Sequence, residues 1–209
     1  MRVNPVNGCR PYFELLARSL ERVSVEEVDA VTEVLLRAYE NEHAVLLFGN
    51  GGSAALASHF ACDLAKGTVD PRRKRFRAMA LTDNVPLMTA WANDADYDNI
   101  FSEQLANLGR AADVAFAISG SGNSRNVLKA LRLARESGLT TAGLTGFSGG
   151  EMRALCDAAI VVPSDNMQII EDLHLAIAHA LFSSIRARMD AGTRTQPEMP
   201  LPLARRAAR

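Results

Sequence analysis

The sequence is short of aromatic residues, holds one tryptophan and three cysteines, and lacks both a surplus of charge and a long apolar run. Each shortage excludes something. At 6% aromatic content the chain has little with which to stack bases. Lys+Arg number 23 against 24 Asp+Glu, and a net charge of −1 argues against partners held by bulk charge, either nucleic acid or a membrane surface. No apolar stretch approaches the ~20 residues that cross a bilayer. The first ten residues lack the apolar core of a secretory signal. Cys9, Cys62 and Cys156 are odd in number and far apart, with no CxxC pair, so neither a disulfide framework nor a zinc ribbon is expected. The cytoplasm is the expected compartment.

What is present suffices for one core: 209 residues, 48% of them apolar. Residues 1–190 read as a single domain that includes N-terminal helices over about 10–41. The tail 191–209 carries three prolines and loses all periodicity, and reads as mobile, either a solvated end or a basic docking tail with Arg194, Arg205, Arg206 and Arg209. Pro11 to Val23 spaces Phe13, Leu16, Leu20 and Val23 as a helix does. Ser24 and Glu27 fit a capping box that opens a second helix to about Tyr39. Two amphipathic helices ahead of any strand need an apolar partner, either the domain's own sheet or another subunit.

From His43 the pattern alternates. Residues 44–48, 76–81, 114–118, 140–144 and 158–162 are short apolar runs, expected as five strands. Helices are expected between them at 53–66, 86–91, 100–108, 124–137 and 149–155, with a last helix over 167–189. The alternation defines an α/β fold with a parallel sheet.

Two of the strands run into small, hydroxyl-bearing loops. The first is Gly49-Asn50-Gly51-Gly52-Ser53, and the second is Ser119-Gly120-Ser121-Gly122-Asn123-Ser124. Glycine lets a ligand approach the backbone, the helix that follows offers free N–H groups to an anion, and serine hydroxyls add donors. One such turn would be ordinary; two point to phosphate. A dinucleotide fingerprint explains only the first loop, and the GxxxxGK[ST] signature of a nucleotide triphosphatase is absent.

In order and spacing these loops resemble the sugar isomerase (SIS) domain. With Ser58-His-Phe-Ala61, Ala92-Asn-Asp94, Leu144-Thr-Gly146 and Glu171 to His179, the chain is similar to the phosphoheptose isomerase family over about residues 10–190. That resemblance implies a flavodoxin-like three-layer α/β sandwich with N-terminal oligomerisation helices. It implies a homotetramer with active sites at subunit contacts, and conversion of sedoheptulose 7-phosphate to a heptose 7-phosphate. It also implies zinc, or another divalent ion. A non-catalytic SIS protein that binds a replication initiator as a tetramer, an isomerase for another phosphosugar, and a phosphosugar sensor are the alternatives. Retention of His59 and His179 favours the enzyme.

Candidate acid, base and metal residues follow. His59 and Asp63 share a helix face at i,i+4. Spacing alone favours an ordinary solvated pair, since i,i+4 pairs are common. The resemblance makes His59 a metal ligand and places the catalytic carboxylate at Asp63, where the family usually has Glu. On the last helix, His174 and His179 diverge by ~140° and should not face one site. The apolar residues around His179 suggest burial. The resemblance selects His179 as metal ligand and acid–base group, leaving His174 structural or supporting. Glu171 stands where the family usually has Gln, so the expected metal set is His59, Asp63, Glu171 and His179, with the added carboxylate strengthening divalent-ion binding. Asn50, Gly51, Gly52, Ser53, Ser119, Gly120, Ser121 and Ser124 are expected to hold the phosphate end of the substrate. Asn93, Asp94 and Glu171 would meet its hydroxyls, although Asn93 and Asp94 also fit a plain turn. Trp91 reads as packing.

Overall fold

The structure, a computed structural model, describes residues 7–194. The chain opens with α1 (Cys9–Leu20) and α2 (Val25–Glu40) and then alternates. The order is β1 (Val45–Gly49), α3 (Gly52–Cys62), β2 (Ala78–Ala80), α4 (Val85–Asp94), α5 (Ser102–Leu108) and β3 (Val114–Ser119). Then come α6 (Arg125–Glu136), β4 (Thr140–Thr145), α7 (Met152–Leu155), β5 (Ala158–Val161) and α8 (Met167–Arg194). All strand pairs are parallel, and the sheet order is β2-β1-β3-β4-β5.

The three central strands are buried on both faces, which is why their sequences are continuous rather than alternating. On β1, Val45 and Leu47 face one core while Leu46 and Phe48 face the other. The first core holds α2, α3 and α8 through Val31, Leu35, Leu56, Phe60, Ile170 and Leu181. The second holds α5, α6 and α7 through Leu105, Val127, Leu131 and Met152. Helices on both faces make the expected three layers.

Several boundaries differ from the sequence reading. Helix α8 continues past Met189 to Arg194, so the expected tail begins as helix; residues 195–209 lie outside the described residues. The helix expected over 53–66 is α-helical only to Cys62, and Asp63–Gly67 forms a π-helical turn. The capping box is half made: Ser24 Oγ accepts from Glu27 N–H at 3.1 Å, but the Glu27 carboxylate leaves to accept Val161 N–H at 2.9 Å. That contact pins α2 to the outer strand. Helix α2 covers the chain's own sheet, whereas α1 leans on α8 and leaves Phe13 and Leu20 exposed. Among the described residues no helix is long and apolar enough to cross a membrane, and all three cysteines are free.

Close packing in the sheet depends on one glycine. Gly143 pairs in register with Ala117, and a Cβ there would lie 2.1 Å from the Ala117 carbonyl oxygen and 2.5 Å from Met152 Cε. Backbone on an inner strand cannot step aside. Gly143→Ala is expected to cost about 3 kcal/mol of stability, at the upper end of ordinary overpacking. Chemical denaturation of the purified variant measures it, and a loss within experimental error of zero would contradict this packing.

Candidate active site

The sheet order reverses between β1 and β3: from β1 the chain steps out to β2 and then returns past β1 to β3. In open α/β sheets such a switch point forms the ligand crevice at the carboxyl ends of the strands. Both glycine–serine loops leave from it, one after Gly49 and one after Ser119.

Each loop delivers a helix start without a side-chain cap. Gly51 precedes α3 with φ +56°, a left-handed backbone suited to glycine, and contributes no side chain. Ser124 precedes α6, yet its hydroxyl does not cap that helix and instead lies 3.2 Å from Ser119 Oγ. Helix starts attract anions, although part of each first turn is already used: Val127 N–H donates to Asn126 Oδ1 at 2.9 Å, and Ser53 and Ala54 N–H donate to the Asn50 and Gly51 carbonyls at 3.0 Å. The second loop is braced from behind by the segment after β4. Gly122 packs so tightly that a Cβ would meet the Gly149 carbonyl oxygen at 2.1 Å, and its own carbonyl accepts from Met152 N–H at 3.0 Å. Gly149 and this brace were not singled out from sequence; the Gly-Gly pair at 149–150 was the available signal.

A cavity of ≈ 440 Å³ opens beside the first loop, lined by Gly52, Ser53, His59, Glu171, His174 and His179 among others. At its outer end α3 and α8 bring three titratable groups together. His59 Nε2 lies 2.9 Å from His179 Nε2. Asp63 Oδ2 lies 3.4 Å from His59 Nε2 and 3.8 Å from His179 Nε2. Asp63 Oδ2 is buried and accepts no hydrogen bond. An orphaned carboxylate oxygen facing two imidazole nitrogens is the arrangement a cation would complete. The three separations bracket the ~3.3 Å edge of a tetrahedron with metal–ligand bonds of about 2.0 Å. The donor set, two imidazoles and a carboxylate, suits zinc or a similar divalent ion.

The structure distributes the other expected residues unevenly. Glu171 lines the cavity but stands outside the cluster formed by His59, Asp63 and His179. Its carboxylate instead lies over the start of α3, where a Cβ on Gly52 would meet Glu171 Oε2 at 3.2 Å. The structure thus brings three of the four expected ligand residues together and leaves Glu171 as a neighbour. His179 is exposed, not buried as its apolar neighbours suggested, because it sits on the edge of α8 that faces α3. His174 is the buried histidine. It shares the cavity wall with His179, against the expectation from angular divergence, but its ring turns inward and Nε2–H donates to the Thr145 carbonyl at 3.1 Å. Asn93 and Asp94 end α4, exposed and hydrogen-bonded to each other, outside this cavity's lining. Ser53 is buried on the cavity wall, and Gly120 packs against Met167 at the start of α8. Ser121 Oγ accepts from Asn123 N–H at 3.2 Å within its own loop.

Two further groups mark the rim. Tyr12 on α1 donates to Asp172 Oδ2 at 2.6 Å, and its hydroxyl is pushed up to about 12 by burial first and by that carboxylate second. Asp172 lines the cavity, so this bond ties the first helix to the site.

These features define a class of protein, and comparison agrees: residues 11–146 match the family model described as SIS domain. A phosphoheptose isomerase from Bradyrhizobium sp. (strain ORS 278) is 41% identical, the match covering 83% of this chain and 91% of that protein. One from Helicobacter pylori (strain P12) is 40% identical over 82% and 88%. The solved phosphoheptose isomerase of Neisseria gonorrhoeae superposes with a TM-score of 0.79 at 34% identity, covering 85% of this chain and 96% of that one. The chain belongs to the phosphoheptose isomerase family.

Burial predicts an acid dependence. Desolvation holds the His174 imidazole down at about 4, only partly opposed by its bond to Thr145. A histidine with a lowered folded pKa is neutral in the folded state, while the unfolded chain takes up the proton. Stability from this group is therefore whole above about pH 6.5 and is lost as pH falls toward 4, by about 3 kcal/mol. His174→Gln should flatten that part of the denaturation-against-pH curve. An unchanged slope would contradict a neutral buried imidazole.

Proposed function

We propose that this chain is an aldose–ketose isomerase that converts sedoheptulose 7-phosphate to D-glycero-D-manno-heptose 7-phosphate through an enediolate, for nucleotide-heptose biosynthesis. The observation that carries the reading is the cluster of His59, Asp63 and His179 set on the cavity that opens beside the first glycine–serine loop, in a chain of this family. Ketose phosphate chemistry needs three things in one place: an anion site, a base near the carbon next to the carbonyl, and a group that moves a proton between two oxygens.

The two helix starts and Ser53, Ser119, Ser121 and Ser124 would hold the phosphate, fixing the far end of the substrate. Asp63 would remove a proton from C1 of the open-chain ketose, giving an enediolate across C1 and C2, and return it to C2. His179 would carry the proton that leaves O1 to O2. The balance is internal: one C–H and one O–H proton change places and no oxidant is consumed. Asp63 can serve while facing the histidines, because Oδ2 is the oxygen turned to them and a carboxylate has a second. Glu171, as an acceptor, would read a sugar hydroxyl near the first loop. His59, Asp63 and His179 would hold a zinc or similar divalent ion, which when bound supplies Lewis acidity to the neighbouring sugar oxygens. Three protein donors leave a coordination position open, as catalytic sites require.

Exposed Phe13 and Leu20 on α1 and Leu175 beside the cavity support an assembly of several copies, and we take it to be a homotetramer with sites at subunit contacts. A cytoplasmic setting is consistent with three free thiols.

Following aldose formation from sedoheptulose 7-phosphate tests the reading directly. Wild-type turnover is expected, and Asp63→Ala and His179→Ala should each lose roughly 10²–10⁴-fold in kcat, the range of a lost acid or base. No turnover with any added divalent ion would end the proposal, and normal turnover by either variant would reassign the residue. In parallel, elemental analysis of untagged protein should find about one divalent ion per chain, falling to a small fraction in His59→Ala. Equal metal in both would remove His59 from the ligand set.

A further inference from the structure

The two phosphate loops belong to different strands and are joined by one side-chain contact that the proposed chemistry does not use. Asn50, in the first loop, and Asn126, at the second residue of α6, exchange amide hydrogen bonds. Asn50 Nδ2 donates to Asn126 Oδ1 at 2.9 Å, and Asn126 Nδ2 donates back to Asn50 Oδ1 at 2.8 Å. Asn126 is 2% exposed and also accepts from Val127 N–H at 2.9 Å, so its amide is anchored to the start of its own helix. From the open side the Tyr97 hydroxyl donates to Asn50 Oδ1 at 3.1 Å.

Counting valences shows what this leaves. An amide oxygen has two lone pairs and an amide nitrogen two protons. Asn50 Oδ1 already accepts from two donors, and one Nδ2 proton is given to Asn126. The Asn50 side chain is therefore held in place through both amide atoms, with one Nδ2 proton left over for a ligand. What it contributes is position. Gly49 pairs in register with Ile118, so the strands beneath the loops fix one end of their separation. The amide pair fixes the other, beyond the last ladder bond, where glycine-rich backbone would otherwise be free to move.

We propose that Asn126 is a positioning residue for sugar-phosphate binding. Through Asn50 it sets the distance between the first loop and the start of α6, and thereby the size of the anion site the two loops share. The proposal rests on the reading of these loops as the phosphate site. It predicts that Asn50 and Asn126 act as one unit, because each holds its place only through the other.

Calorimetric titration of the full chain with sedoheptulose 7-phosphate tests it. Asn50→Ala and Asn126→Ala should each weaken binding roughly tenfold, and the double variant should bind no more weakly than the weaker single. Asn126→Ser, which keeps an acceptor for Val127 but cannot span to Asn50, should match Asn126→Ala and guards against a folding failure. In turnover assays KM should rise with kcat held within about threefold, a split that a loss of folded protein would not produce. Tyr97→Phe should bind within about twofold of wild type, since the amide pair survives it. Losses that multiply in the double variant would overturn the proposal, as would a neutral Asn126→Ala beside a damaging Asn50→Ala. If wild-type protein binds the sugar phosphate without turning it over, the isomerase reading fails and the cycle still decides the clamp. If wild type does not bind it, the loops are not a phosphate site and both fail.

Discussion

His59 and Asp63 stand one turn apart, but His179 is 120 positions beyond His59, and the site exists only because α3 and α8 lie close on the same face of the sheet. That approach is bounded by small residues. Gly52 admits the Glu171 carboxylate at the start of α3, and Gly67 admits the ring of Phe182, where a Cβ would lie 2.6 Å from Cζ. Ala57, Ala61 and Ala178 lie in the core between them. The contacts run in the same order along both helices, so the two start together at the carboxyl edge of the sheet. A bulkier residue at either end would separate the helices, and the imidazoles would no longer be 2.9 Å apart. Burial energy from the first core thus holds a geometry that the three polar groups could not impose on themselves.

The same edge of the sheet handles two opposite charges. Carboxylates gather where α3 meets α8: Asp63, Glu171 and Asp172. The loops at the switch point present serine hydroxyls and two uncapped helix starts. Among the described residues no lysine or arginine lines the cavity, and neutral dipoles are the groups they offer for phosphate. Helix starts and hydroxyls suit that task because they attract an anion without forming a tight ion pair with the neighbouring carboxylates. A chain of net charge −1 can therefore offer phosphate a place while concentrating negative charge beside His59 and His179.

Most of the fold was legible because the evidence for it is local. Continuous apolar runs mark strands buried on both faces, and glycine–serine turns mark the places where the chain leaves them. The positions of His59, Asp63 and His179 were legible through resemblance, while their mutual distances depend on packing between distant elements. The apolar neighbours of His179 suggest a buried ring, yet that ring is exposed and the buried one is His174. An apolar neighbourhood in sequence describes the helix, not the face, and His179 occupies the face that turns to α3 while His174 points at the sheet. Asn126 gave no signal, since an asparagine early in a helix is common chemistry for helix starts, and its partner lies 76 residues away. The departure of the Glu27 side chain to β5 was hidden for the same reason: local sequence favours the capping box, and a strand N–H outcompetes it.

Asp63 is one methylene shorter than the Glu usual in the family, and the backbone bears on how far its carboxylate reaches. Asp63 is the residue at which α3 ceases to be α-helical and a π turn begins. Such turns widen the helix and re-aim the side chains at the transition, and they recur at functional sites for that reason. Here Oδ2 arrives 3.4 Å from His59 and 3.8 Å from His179 without the missing methylene. Reach is a property of backbone and side chain together, so an Asp in place of Glu need not withdraw its carboxylate from the histidines if the helix beneath it changes pitch. What the exchange does remove is one rotatable bond. A carboxylate with fewer rotamers, held against two imidazoles, loses less entropy on becoming fixed, which favours a preorganised side chain over an adaptable one.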